Sequence, residues 1–204
     1  STHNPHHHTQ KKFQNPNQKI IITVSRLVKK NGIDTLIKEF KILNSNYYLL
    51  NSNLFVIGDG PERKKLEKIA ENSGVEDKIK FLGTIPNDEV SKYLAQADVF
   101  VRPSRSEGLG TAFLEAMAQG VPVIGTRVGG IPDFIRHGET GFFSEVDNPG
   151  DLAEKISMIL EDDILRQKLA ENGRKMVEEK YSWDGIAQEM NKIYAETLNR
   201  HSGI

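Results

Sequence analysis

The sequence predicts an α/β domain built on a doubly wound parallel sheet, and three observations carry that reading. Six short apolar runs rich in β-branched residues recur along the chain. Stretches with helical spacing separate them. The runs are apolar at nearly every position, as strands buried on both faces are. They are Ile20–Val24, Leu54–Ile57, Ile79–Leu82, Val99–Val101, Val121–Ile124 and Phe142–Phe143. Between them, Ile33, Leu36, Ile37, Phe40 and Leu43 form one helical face. Leu66, Ile69 and Ala70 form a second, and Val90, Tyr93, Leu94 and Ala97 a third, with Asn87 or Asp88 as its expected N-cap. The stretch from Asn44 to Asn53, rich in asparagine and serine, reads as a surface loop. After Asp151 the pattern is helical only: Leu152, Ile156 and Ile159, then a charged helix to about Lys180, then Ile186, Met190, Ile193 and Tyr194. These are expected to be extra C-terminal helices packed on the domain, with Trp183 as an anchor. Strands alternating with helices make a six-stranded parallel sheet with helices on both faces the expected fold.

Length and composition agree. A chain of 204 residues fits one domain plus extensions, and 37% hydrophobic residues suffice for one core. The domain is expected over residues 19–199. Residues 1–18 read as a disordered linker or cloning remnant, and 200–204 as a tail. That first segment is polar and carries four of the six histidines. Its His6, His7 and His8 suit a metal in type, but the linker reading is preferred. With 27 basic and 28 acidic residues the net charge is −1, which speaks against a nucleic-acid partner. No run reaches the ~18 apolar residues of a membrane span. Cysteine is absent, which excludes disulfides, thiolate metal sites and cysteine nucleophiles. A cytoplasmic protein is expected.

In an open parallel sheet, ligands bind beyond the carboxyl ends of the strands. The loop after the second predicted strand carries Gly58 and Gly60, but a dinucleotide fingerprint fails there because its third glycine would be Arg63. The loop after the fourth is more informative. Gly108 and Gly110 expose backbone N–H groups just before a helix expected to start near Thr111, which makes an anion site. Glu107 stands at the entrance, and Glu115 lies ~7 Å along the helix axis. Two carboxylates are poor phosphate ligands but good acceptors for sugar hydroxyls. Arg26, after the first strand, suits a phosphate as a bidentate donor. Together these residue types point to a nucleotide sugar. The same residues also suit plain scaffolding: a glutamate in a helix's first turns steadies the dipole, and an Arg–Glu pair can simply brace a loop.

The segment P-S-R-S-E-G-L-G-T-A-F-L-E-A-M-A-Q-G-V-P-V-I, Pro103 to Ile124, resembles the signature of retaining GT-B glycosyltransferases of the glycogen-synthase-like group 1 family. Its two glutamates with seven residues between them are Glu107 and Glu115. S-R-L-V at Ser25–Val28, G-D-G-P at Gly58–Pro61, F-L-G at Phe81–Gly83, G-G-I-P-D at Gly129–Asp133, H-G-E-T-G at His137–Gly141 and Y-S-W-D at Tyr181–Asp184 follow the same pattern. The resemblance covers Lys19 to about Asn199. It implies a Rossmann-like domain that is one half of a GT-B fold, binding a UDP-, GDP- or ADP-sugar donor without a metal or other cofactor. Glu107 would contact hydroxyls of the donor sugar and Glu115 those of the ribose. Gly108, Leu109, Gly110 and Thr111 would form the diphosphate loop, with Arg26 stabilising the departing charge and Thr84 and Ile85 near the base. Arg26 and Glu107 are the residues expected to serve catalysis.

The resemblance also implies a missing N-terminal acceptor domain, through which the whole protein would associate peripherally with the inner face of the membrane. The helix near Gly185 to Asn199 would cross back toward that domain, and this half alone would bind donor without completing transfer. One position departs from the family pattern. The lysine expected directly before Gly32 is replaced by Asn31, and Lys30 is the expected substitute cation, with Lys29 second. The alternative readings are a sugar-nucleotide epimerase-like domain and a non-catalytic nucleotide-sugar-binding module. The only histidine within the domain body, His137, is expected in a hydrophilic turn, which speaks against the epimerase.

Overall fold

The computed structural model of the chain describes residues 18–44 and 51–181. Residues 1–17 with their histidines, Trp183, the helices expected beyond it and the tail lie outside the described residues. Six strands form one sheet: β1 (Lys19–Val24), β2 (Ser52–Ile57), β3 (Ile79–Gly83), β4 (Val99–Val101), β5 (Val123–Thr126) and β6 (Gly141–Ser144). Their order is β3-β2-β1-β4-β5-β6 and every pairing is parallel, the doubly wound arrangement that the sequence predicts. The helices among the described residues are α1 (Ile33–Asn44), α2 (Arg63–Ser73), α3 (Asn87–Leu94), α4 (Thr111–Ala118), α5 (Pro149–Glu161) and α6 (Asp163–Lys180).

Alternate residues of each strand feed two cores. Ile21, Leu54, Val56, Val99, Val101, Ile124 and Phe142 point to the face covered by α1, α2 and α5. Ile20, Ile22, Phe55, Ile57, Phe100, Val123 and Phe143 point to the face covered by α3 and α4. The long helix α6 serves both, with Leu169 in the first core and Met176 in the second. Both faces are therefore dry, which is why the strands show no polar alternation.

The departures from expectation sit at element ends. Ser52 and Asn53 belong to β2 rather than to a loop, and Ser52 is buried where it pairs with Lys19. β5 starts only after Pro122, which has no amide to give a ladder, and runs on through Gly125 and Thr126. The capping of α3 differs too. Pro86 takes the N-cap position and its carbonyl receives the Glu89 and Val90 amides, so Asn87 opens the helix and caps nothing. Ala97 lies beyond the end of that helix, packed against the second core.

One residue breaks the apolar rule. Glu39 of α1 is completely buried, and neither carboxyl oxygen has a hydrogen-bond partner of good geometry. Burial pushes its pKa from 4.5 up to about 7, and the nearby Ala153 amide offsets only part of that. Between those two values the unfolded chain has released the proton while the folded chain keeps it. Stability attributable to Glu39 therefore falls as pH rises from about 4.5 to about 7 and is level above, by about 3 kcal/mol in all. Glu39→Gln should flatten this slope, so its melting temperature should gain on that of the parent chain between pH 5 and pH 8. Two parallel melting-temperature profiles would exclude Glu39 as the source.

Candidate functional site

β1 and β4 are neighbours in space, and the chain leaves them toward opposite sides of the sheet, so their carboxyl ends open a crevice. The loop after β1 holds Arg26, exposed, then Leu27, fully buried, then a 3-10 turn over Lys29–Asn31. Leu27 anchors this loop, and its amide and carbonyl bond Asp59 and Glu62 of the neighbouring loop. Lys29 and Lys30 are exposed, and neither amine has a partner among the described residues. Asn31 is buried, and its Nδ2 donates to the Arg26 carbonyl at 2.7 Å. Asn31 therefore shapes the loop that carries Arg26; its amide nitrogen is committed to the protein's own backbone.

The loop after β4 is organised by Arg102, a residue that the sequence reading passed over. It is buried at the strand end, donates to the Val24 carbonyl at 3.1 Å, pairs with Glu107 and lies over the Phe113 ring, 4.8 Å from its centroid. Burial lowers its pKa, and the charges of Glu107 and Glu115 work against that. Both glutamates thus lie within electrostatic reach of one buried guanidinium. Glu107 is largely buried; its Oε2 takes Arg102 and Ser104, and its Oε1 accepts the Gly108 amide at 3.0 Å. The brace anticipated for an Arg–Glu pair is present, but its arginine is Arg102 rather than Arg26. Glu115 is exposed on α4, and partial desolvation of its carboxyl holds its pKa above the usual value despite Arg102.

The next residues run into the start of α4. Gly110 is the N-cap in the left-handed region (φ 77°) and gives the first amides of the helix no side-chain cap, nor does any other described residue. Leu109 and Thr111 are exposed. Gly129, with φ 54°, backs this loop: a Cβ there would stand 1.9 Å from the Glu107 carbonyl oxygen, and the Gly130 amide donates to the Gly108 carbonyl at 2.8 Å. Gly58 and Gly60 have a comparable use. A Cβ on either would strike the backbone of Ser25 or Leu27, so their place in the sequence reflects close loop packing.

Arg105 stitches the first and fourth loops together. Its guanidinium reaches Asp34 at 2.8 Å, Asp147 at 2.6 Å and the Thr35 hydroxyl at 3.1 Å, while its amide donates to the Lys30 carbonyl at 2.7 Å. Burial raises the Asp34 pKa, but the Arg105 guanidinium outweighs it and holds the carboxylate below its ordinary range; Asp147 is lowered by the same hydrogen bond. The loop that carries Arg26, Lys30 and Asn31 is in this way tied, through the Lys30 carbonyl, to Arg105 and Ser106, just ahead of Glu107. Thr84, exposed, and Ile85, half-buried, follow β3, two strands from β1 and hence about 10 Å away along the sheet edge. Arg102 had a sequence signal, an arginine ending an apolar strand. Arg105 had none, since its partners lie 71 and 42 positions away.

Comparison with known proteins places the chain among relatives. The family model described as glycosyl transferases group 1 matches residues 6–176. N-acetyl-alpha-D-glucosaminyl L-malate synthase of Bacillus anthracis is 35% identical over 182 residues, 89% of this chain and 46% of that protein. The crystal structure of the C-terminal domain of a group 1 glycosyl transferase from Francisella tularensis superposes with a TM-score of 0.74 at 30% identity, over 81% of this chain and 87% of that one. The Anabaena protein HepE, solved in complex with UDP and glucose, gives 0.75 at 25% identity, over 90% of this chain and 49% of that one. The chain spans about half the length of the curated relatives it matches.

The Arg102–Glu107 pair yields a stability test. Arg102→Met strands a largely buried carboxylate and should cost about 3–5 kcal/mol in denaturant unfolding. Adding Glu107→Leu should recover most of that loss, because removing both charges also removes their desolvation cost. If the double variant is as unstable as the single, shape rather than charge governs this loop.

Proposed function

The chain belongs to the glycosyl transferases group 1 family, and from that premise we propose that it is the nucleotide-sugar (donor) binding domain of a retaining, metal-independent hexosyltransferase. Transfer to a glycan, lipid or small-molecule acceptor would then need a further, acceptor-binding domain. The observation that supports this reading is the joining of the β1 and β4 loops by Arg102 and Arg105, so that cations of the first loop would serve the same ligand as the helix start and carboxylates of the second. Arg26 and the exposed amines of Lys30 and Lys29 would neutralise the diphosphate, and the amides at the start of α4 would donate to it. Glu107 would accept from donor-sugar hydroxyls with the lone pairs left free by Arg102, and Glu115 from the ribose. Thr84 and Ile85, after β3, would lie near the base. As the bond to the sugar breaks, negative charge grows on the diphosphate, where fixed dipoles and cations act most strongly. The complex of the Anabaena relative with UDP and glucose supports this donor class.

Among the described residues no helix is long and apolar enough to cross a membrane. His137 packs against Phe142 and Phe143 and its Nδ1 is taken by the Phe143 amide, which favours a transferase over an epimerase.

A melting-temperature panel of UDP, GDP, ADP and their sugars without magnesium tests the reading. Ligand at 100 times its Kd should stabilise by about 2.7 kcal/mol, several degrees for a domain of this size. A strict magnesium requirement would overturn the metal-free site, and no response to any nucleotide would overturn the donor reading. Free sugar and nucleotide released on mixing with a donor would separate a transferase from a binder.

Side-chain roles separate by ligand. Glu107→Ala should weaken intact donor more than free diphosphate, and Glu115→Ala should weaken both alike, each by about 1.5–3 kcal/mol. Equal losses in all four combinations would leave both glutamates as scaffolding. Lys30→Ala should weaken diphosphate binding at least tenfold, with a changed salt dependence. Asn31→Lys should not tighten it, because the bond to the Arg26 carbonyl is lost; strong tightening would show Lys30 to be no substitute.

A further inference from the structure

The carboxyl ends of β5 and β6 open into a cavity of about 430 Å³ whose lining includes none of the residues assigned above to the donor. Arg127 enters it directly after β5, Phe143 and Ser144 close β6 along its wall, and Lys155 reaches it from α5. Arg127 lies over the Phe143 ring, 4.0 Å from its centroid, and has no carboxylate partner among the described residues. The acidic groups of the lining are already engaged. Glu145 accepts from Asn148 Nδ2 at 2.7 Å; Asp151 accepts the Glu145 amide at 2.8 Å and stands 3.5 Å from Lys155 Nζ. Glu145 keeps its negative charge, and apart from these two acids the polar groups of the lining are donors. His137 Nδ1 accepts the Phe143 amide at 3.0 Å, which puts the ring proton on Nε2. Ser144 is 4% exposed and its Oγ has no partner, an orphan hydroxyl in the wall. Burial, with Lys155 and Arg127 near, holds the His137 pKa below its usual value, so at neutral pH the ring is an uncharged donor. Val146, 43% exposed, supplies an apolar rim.

An unpaired guanidinium, an N–H edge and an orphan hydroxyl around one cavity are what an oxyanion requires. We propose that this cavity binds the anionic group of a small organic acid, a carboxylate or a phosphate monoester, at a site separate from the donor nucleotide. Arg127 supplies the charge, His137 Nε2 and Ser144 Oγ the orienting donors, and Val146 contacts the carbon skeleton. The Arg127 loop continues into Gly129 and Gly130, which back Glu107 and Gly108, so this site and the donor loop share one support.

Calorimetric titration of the full chain with inorganic phosphate and with malonate, each with and without saturating UDP, decides the matter. At least one anion should bind saturably with a Kd that UDP changes less than twofold, and which one binds tells phosphate from carboxylate. Arg127→Gln, a change at an exposed side chain, should weaken that binding at least fivefold, with the melting temperature and UDP binding unchanged. No saturable binding, displacement by UDP, or an Arg127→Gln variant that binds like the parent would overturn the proposal. If UDP itself fails to bind, the donor reading falls while this one is still decided. Loss in Arg127→Gln but not in Arg26→Gln supports it; loss in Arg26→Gln alone overturns it.

Discussion

A guanidinium placed at the buried end of a central strand has few ways to be satisfied, and Arg102 combines three of them, with only its Nε left without a partner among the described residues. It takes the Val24 carbonyl from β1, the Glu107 carboxylate from its own loop and the Phe113 ring from α4. Desolvation works against the charge, so such a pair contributes little net stability over an apolar replacement. What it does contribute is position. Because the guanidinium cannot be left unpaired, the fourth loop must bend back until Glu107 meets it, and that bend delivers Gly110 to the start of α4. The crevice at the switch point acquires its shape from this one obligation.

Close backbone approach fixes the rest of the crevice. A Cβ on Gly32, Gly58 or Gly129 would stand 1.9 Å from a carbonyl oxygen of a neighbouring loop, so these loops touch along their main chains. Arg105 then ties the outer edge, joining the Lys30 carbonyl to Asp34 and Asp147. Loops held by main-chain contact and buried charge have little freedom to reorganise. Fixed donors that need not move when charge develops are the kind that electrostatic stabilisation rewards.

The sheet was legible in the sequence because two dry faces leave a mark: β-branched runs with no polar alternation. Strand ends were less legible, since Ser52, Asn53, Gly125 and Thr126 pair in the ladder without apolar side chains to announce it. The helix start at Thr111 and the glutamates around it were legible because glycines and carboxylates at that spacing have few uses. The braces were not. Arg102 meets Val24 across 78 positions and Arg105 meets Asp34 across 71, distances at which local pattern says nothing. Asn31 shows the limit most plainly. A residue type compared with a pattern says what is missing, here a cation, but only packing shows that its amide holds the Arg26 carbonyl.

The arginines of this sheet edge divide into two kinds, and the division follows from their surroundings. Arg102 and Arg105 are matched to carboxylates and main-chain oxygens, so their charge is spent inside the protein and their work is to hold loops. Arg26 and Arg127 stand exposed at the ends of β1 and β5 with no salt-bridge partner among the described residues, as do the amines of Lys29 and Lys30. Elsewhere on the surface Arg63 and Arg174 each find a glutamate four residues on, the simple local solution for a helix. Lys155 does the same with Asp151 beside β6, but Arg26, Arg127, Lys29 and Lys30 have no such partner among the described residues, although the chain as a whole is slightly acidic. Like charges within a Debye length of about 8–10 Å repel, and a surface arranged for stability alone would separate or pair them. Leaving them open beside uncapped amides and an orphan hydroxyl suits an anion that arrives from outside, which is the common ground of the proposed donor site and the proposed anion cavity beside β6.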